Sequence, residues 1–209
     1  MRFRYIAVEG APGAGKTGLV HRIAERTESS TLVEASDNPF LNDVADGKTG
    51  AAFQAQMFFL LSRYRELSSL AQRELFYQLK LADYMFARDK IYAYLRLDDT
   101  ELMLYEKIYR VLATEVPPPE LVIYLNAPAS VLHRRLRARD ARPLPSEEEL
   151  GEIVKAFDYF FFHYSASPLL VVNSTHVDFT DTDVALDDLM QEVEAISGGT
   201  RYFMPGEGP

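Results

Sequence analysis

The chain has 209 residues, 47% of them apolar and 25% charged, the balance of an ordinary globular domain with a full core. It has no cysteine, which excludes disulfides, thiolate metal sites and cysteine nucleophiles. A formal net charge of −9 argues against a surface for long nucleic acid, and no apolar run approaches the length of a membrane span.

Met1-Arg2-Phe3-Arg4 leads straight into the first apolar run, leaving no room for a signal peptide, so a cytoplasmic location is expected. Phe3–Glu9 reads as a buried strand. It runs into Gly10-Ala11-Pro12-Gly13-Ala14-Gly15-Lys16-Thr17, the G-x-x-x-x-G-K-[ST] phosphate loop in its required place between strand and helix. Glycines let the backbone N–H groups turn inward around phosphate oxygens, and the positive end of the following helix, Lys16–Thr27, points at the same anion. This predicts a bound nucleoside triphosphate, with Lys16 on its β- and γ-phosphates and the Thr17 hydroxyl on Mg²⁺.

A short strand, Thr31–Val33, ends at Glu34, and Asn38-Pro39 begins a turn or short helix. A long helix is predicted from Ala51 to Arg73. Leu75–Leu81 reads as a strand ending at Asp83, followed by helices Met85–Leu95 and Asp99–Ala113. Pro117-Pro118-Pro119 stops the second of these, and Leu121–Leu125 is an apolar strand of the parallel-sheet kind. Pro128 opens a helix reaching Arg139, and residues 140–146 form a loop. Ser146 with Glu149 resembles a capping box for a helix over Glu147–His163. Leu169–Val172 is the last predicted strand, Asp183–Ile196 the last helix, and the tail from Gly198 is expected to be mobile.

Strands alternating with helices predict an α/β fold, a doubly wound parallel sheet of five strands flanked by helices, in one domain over 1–197 with a tail over 198–209. In such a sheet the chemistry gathers at the carboxyl ends of the strands, where Glu9, Glu34 and Asp83 fall. On the long helix, Gln56 and Arg63 share one face beside Phe53, Phe59 and Tyr64. An amide and a guanidinium there suit a base edge, and aromatics suit stacking. The same spacing also suits a core helix with polar residues at its margin.

At this point the chain resembles the deoxynucleoside kinase family, which includes deoxyadenosine, deoxyguanosine and deoxycytidine kinases. The resemblance is carried by Ile6-Ala7-Val8-Glu9-Gly10 with its loop, by Glu34 and then Asp37-Asn38-Pro39-Phe40-Leu41, by Phe53 through Tyr64, by Ala82 through Lys90, and by the arginine-rich segment 134–142. It covers almost the whole chain, and the Glu, Asn-Pro-Phe-Leu, Gln and Ser-Arg-Tyr series is its specific part.

The resemblance implies ATP-dependent phosphorylation of a deoxynucleoside on its 5′-hydroxyl, purines first and deoxycytidine second, with Glu34 as general base. Gln56, Phe59, Arg63, Arg88 and Asp89 would hold the acceptor, the Arg63–Asp89 pair reading its base. Asp83 would support Mg²⁺ with Thr17. A lid over 135–146 would bring Arg137 and Arg139 to the transferred phosphoryl group and Arg135 and Arg142 to the donor. The resemblance also implies a homodimer, with Tyr64, Phe76, Tyr77, Tyr92 and Tyr94 serving either as its apolar interface or as core.

The sequence departs from the family pattern at the third strand end. There Asp83-Tyr84-Met85 replaces an acid followed by Arg-Ser, which leaves the bridging arginine to Arg88 or to the lid. Pro145 stands where relatives carry a glutamate for the sugar 3′-hydroxyl, with Glu147 and Glu148 just beyond. The segment between Glu34 and Gln56 is too short to supply a sugar-binding tyrosine. These departures keep two other readings open: a nucleoside monophosphate kinase of the thymidylate kinase kind, and a nucleotide-binding subunit weakened in catalysis. Against the first, Lys48 is the only cation between residues 34 and 50.

Overall fold

In a computed structural model of the chain, residues 2–34, 37–72, 78–179 and 183–206 are described. Six parallel strands form one sheet in the order β2-β3-β1-β4-β5-β6: β1 Tyr5–Glu9, β2 Ser30–Leu32, β3 Lys80–Ala82, β4 Leu121–Asn126, β5 Leu169–Asn173 and β6 Thr200–Phe203. β1 is buried along its whole length, and β4 is buried except at Asn126. That is what uniformly apolar strands covered on both faces require. The register pairs Ile6 with Leu81 on one side and with Leu121 on the other.

The sheet has one strand more than the sequence predicted. β6 comes from the segment expected to be a mobile tail, and it pairs with β5 from Leu169–Thr200 to Val172–Phe203. The apolar β5 would otherwise carry an unpaired row of backbone groups on that side, and β6 satisfies them. β6 itself is exposed, which kept it from showing as an apolar run. β3 also starts later than expected, and residues 73–77, including Phe76 and Tyr77 of the anticipated interface, lie outside the described residues.

The domain consists of two compact units that interleave along the chain. The first comprises Met1–Val33, Gln78–Tyr84 and Pro119–Pro209 and contains the whole sheet. Its helices are α1 Lys16–Thr27, then, after the second unit's helices, α6 Ala129–Ala138, α7 Glu147–Phe162 and α8 Asp183–Ala195. α7 begins on the predicted capping box, with Ser146 and Glu149 each bonded to the other's backbone N–H.

The second unit comprises Glu34–Tyr77 and Met85–Pro118 and is helical: α2 Leu41–Ala45, α3 Ala51–Gln72, α4 Asp89–Arg96 and α5 Asp99–Ala113. A 3₁₀ turn, Phe86–Arg88, takes the first residues of the helix predicted from Met85. α4 therefore begins at Asp89, which places a carboxylate in its first turn, where the helix dipole favours it. Asn38 fixes the approach to α3: its side chain donates to Ala55 O at 2.9 Å and accepts from Phe40 N at 3.0 Å. Of the remaining anticipated interface tyrosines, Tyr64 bonds Glu115, Tyr94 is exposed and bonds Glu106, and Tyr92 lies beneath the guanidinium groups of Arg88 and Arg96.

Candidate active site

In the sheet unit, β1 delivers the chain into the phosphate loop at Gly10. A Cβ on Gly10 would lie 2.6 Å from Leu125 O, and one on Gly13, where φ is +85°, would lie 2.9 Å from Leu132 O. Both residues are therefore glycine because the backbone passes too close to β4 and α6 for a side chain. Gly15 turns into α1 with φ 93°, and Lys16 donates to Ala11 O at 3.4 Å. Gly13→Ala should force the loop away from α6. With the strained φ, the expected result is a loss of about 1–3 kcal/mol of stability and roughly tenfold weaker ATP binding, read by thermal denaturation and nucleotide titration.

The Thr17 hydroxyl donates to the Asp83 carboxylate at the end of β3, so the two predicted metal residues come together. A hydroxyl and a carboxylate are hard oxygen donors, which fit Mg²⁺, an ion that takes few protein ligands and keeps water and phosphate for the rest. Among the described residues no group of three or more His, Asp or Glu forms a closed metal cage. The lid arginines divide by their contacts. Arg135 is half-buried and donates to Ser174 O at 2.6 Å and Val177 O at 3.1 Å, and Arg139 pairs with Asp178. These contacts hold the loop after β5 to α6. Arg137 is exposed on the last turn of α6, and Arg142 is exposed beside Asp140. Pro145 is half-buried and Glu147 and Glu148 are exposed on the first turn of α7.

In the helical unit the residues expected to hold the acceptor form one network. Arg63, from α3 and only 5% exposed, donates through Nε and Nη2 to Glu34 Oε1 and through Nη1 to Asp89. Arg88 donates to Glu34 Oε2 at 2.6 Å. Phe59 lies under the Arg63 guanidinium, 5.0 Å from its ring centre. Gln56 is buried and spends one amide donor on Asp89 O at 3.0 Å. Burial pushes the Glu34 carboxyl upward, but Arg88 and Arg63 outweigh it and hold the group down at about 2. Glu34 is therefore an ionised acceptor across the whole physiological range. Two guanidiniums face two carboxylates here, and the network is neutral overall.

Tyr84 is fully buried and Met85 nearly so, while Arg88, one 3₁₀ turn further on, reaches Glu34. Sequence reasoning missed Tyr105 of α5, whose hydroxyl donates to Asp89 Oδ2 at 2.8 Å. The one available signal was the Tyr105–Tyr109 pair, which shares a helix face.

The comparisons with known proteins identify the family. Residues 6–197 match the family model described as deoxynucleoside kinase. A deoxyguanosine kinase of Bacillus subtilis is 34% identical over 69% of this chain and 70% of its own length. A deoxyadenosine kinase of Dictyostelium discoideum is 27% identical over 98% of this chain and 86% of its own. The solved structure of a deoxyadenosine kinase from M. mycoides with bound dATP has a TM-score of 0.74 at 22% identity, covering 91% of this chain and 98% of its own.

Proposed function

The chain belongs to the deoxynucleoside kinase family and transfers a phosphoryl group to a deoxynucleoside; on that premise we propose that its acceptor is a purine deoxynucleoside, with deoxycytidine second. The relatives named for deoxyguanosine and deoxyadenosine support the purine. The observation that favours a nucleoside over a nucleoside monophosphate is the neutral network around Glu34. An acceptor that already bears a phosphate needs uncompensated cations, and Arg63 and Arg88 are both neutralised by Glu34 and Asp89. A neutral sugar hydroxyl needs only the carboxylate. The monophosphate kinase reading is not favoured.

In this proposal ATP lies on the loop from Gly10 to Thr17, with Lys16 on the β- and γ-phosphates. Thr17 and Asp83 hold Mg²⁺, which when bound neutralises charge on the triphosphate. Glu34 accepts the proton of the 5′-hydroxyl as that oxygen attacks the γ-phosphorus. Arg88 takes the part of the arginine absent at position 84, and through its bond to Glu34 it orients the carboxylate. Arg137 and Arg139 stabilise the transferred phosphoryl group, and Arg135 and Arg142 support the donor. The acceptor base stacks on Phe59 and is read by Gln56, Arg63 and Asp89. A cytoplasmic enzyme acting as a homodimer completes the proposal. Cysteine-free composition supports the first, and exposed Leu61, Leu104 and Val111 on α3 and α5 suit the second.

The test is ATP-dependent phosphorylation of the four common deoxynucleosides and their 5′-monophosphates, side by side with Mg²⁺. Activity on deoxyadenosine or deoxyguanosine is expected. Activity confined to a monophosphate would sink the reading, and ATP binding without turnover of any acceptor would leave a weakened subunit.

A further inference from the structure

Asp89 has no exposed surface, and Arg63 accounts for only one of its carboxylate oxygens. The other accepts the Tyr105 hydroxyl. Tyr105 is itself fully buried, and burial pushes its phenol well above the usual range, so it is a neutral donor at any working pH. One helical turn on, Tyr109 stacks on Phe86 with ring centres 5.0 Å apart and planes 16° from parallel. Phe86 opens the turn that carries Arg88 and leads into Asp89. α5 thus grips this segment twice, once by an aromatic face and once by a hydroxyl aimed at the carboxylate.

Packing alone does not call for the hydroxyl, because phenylalanine would fill the same space. What the hydroxyl adds is orientation. A buried carboxylate with both oxygens engaged has one setting. With one oxygen released it can turn about its bond to the backbone, while Glu34 keeps the Arg63 guanidinium in place, so the geometry of the pair changes. An amino edge of a base offers donors and an oxo edge offers an acceptor, so that setting decides which edge is preferred.

We propose that Tyr105 is a positioning residue for acceptor specificity: by donating to Asp89 Oδ2 it holds the carboxylate in the setting in which the Arg63–Asp89 pair distinguishes the amino from the oxo edge of the base. This rests on the reading of Arg63 and Asp89 as the base-reading pair.

The experiment compares Tyr105→Phe, Asp89→Asn and the double variant in the full chain, measuring kcat and KM for deoxyadenosine, deoxyguanosine and ATP. Tyr105→Phe is expected to raise KM for the preferred purine and compress the kcat/KM ratio of the two purines, each about tenfold, with kcat and the ATP KM within about twofold of wild type. Asp89→Asn should shift the ratio at least as far, and adding Tyr105→Phe to it should change nothing more. A Tyr105→Phe enzyme that is less stable yet keeps its acceptor KM and its ratio would make the residue merely structural and overturn the proposal, leaving the role of Asp89 intact. A shift that persists undiminished in the Asp89→Asn background would also overturn it. If Asp89→Asn itself leaves the ratio unmoved, the base-reading pair is wrong.

Discussion

Glu34→Gln is expected to lower kcat by about 10²–10⁴-fold while ATP affinity stays within about twofold, the range associated with loss of a positioned general base. The amide keeps the shape and can still accept hydrogen bonds from Arg63 and Arg88, but it cannot take the proton of the 5′-hydroxyl. ATP affinity should hold because the phosphate loop is built from other residues, Gly10 to Thr17 of the sheet unit. Phosphoryl transfer asks for positioning more than for a strong base, so a carboxylate held at about 2 is adequate. Such a group is ionised at every pH above that value. The wild-type kcat/KM should therefore show no fall between pH 8 and pH 5 attributable to Glu34. Steady-state kinetics beside ATP titration checks both statements, and turnover within a few-fold of wild type would reassign the proton acceptor.

Arg88→Met should lower kcat by about 10²–10³-fold, the usual cost of removing one preorganised charge contact from a reacting centre. The sequence departs from the family at Tyr84, and Arg88 is the buried guanidinium that reaches Glu34 Oε2 at 2.6 Å. Its removal leaves Glu34 with Arg63 alone, which lets the carboxyl rise toward its ordinary value. The stronger base does not compensate, because an oriented carboxylate is worth more here than a basic one. Thermal denaturation must accompany the assay, since breaking a buried ion pair costs about 3–5 kcal/mol. If the folded variant kept wild-type kcat while Arg137→Met lost it, the bridging cation would belong to the lid.

Much of this was legible in the sequence because local chemistry dictated it. The phosphate loop needs glycines where β4 and α6 crowd it, and a lysine and a threonine at its end, so the motif carried its own context. α1 and α5 were found to the residue, and α7 was found from its capping box. Other features were invisible because they depend on partners far along the chain. No periodicity shows that Tyr105 meets Asp89, or that one donor of the Gln56 amide goes to the Asp89 backbone carbonyl. Thr200–Phe203 became a strand only because β5 offered an edge to pair with. For the arginine absent at position 84 the sequence offered Arg88 or the lid, and what it could not show is the 3₁₀ turn from which Arg88 reaches Glu34.

β1 lies between β3 and β4 in the sheet, yet both neighbours are far downstream in sequence. During synthesis the first strand emerges with its apolar residues Tyr5–Val8 and no partner on either side. β3 follows only after α3, and β4 only after α5. The helical unit draws on nearer contacts and can consolidate while the sheet still waits. Order of translation and order of pairing are thus opposed at the centre of the molecule, and loop closure over long separations governs how fast the sheet assembles. Until β4 arrives, the strand that will carry the phosphate loop has an unpaired edge, the kind of surface through which incompletely folded chains associate.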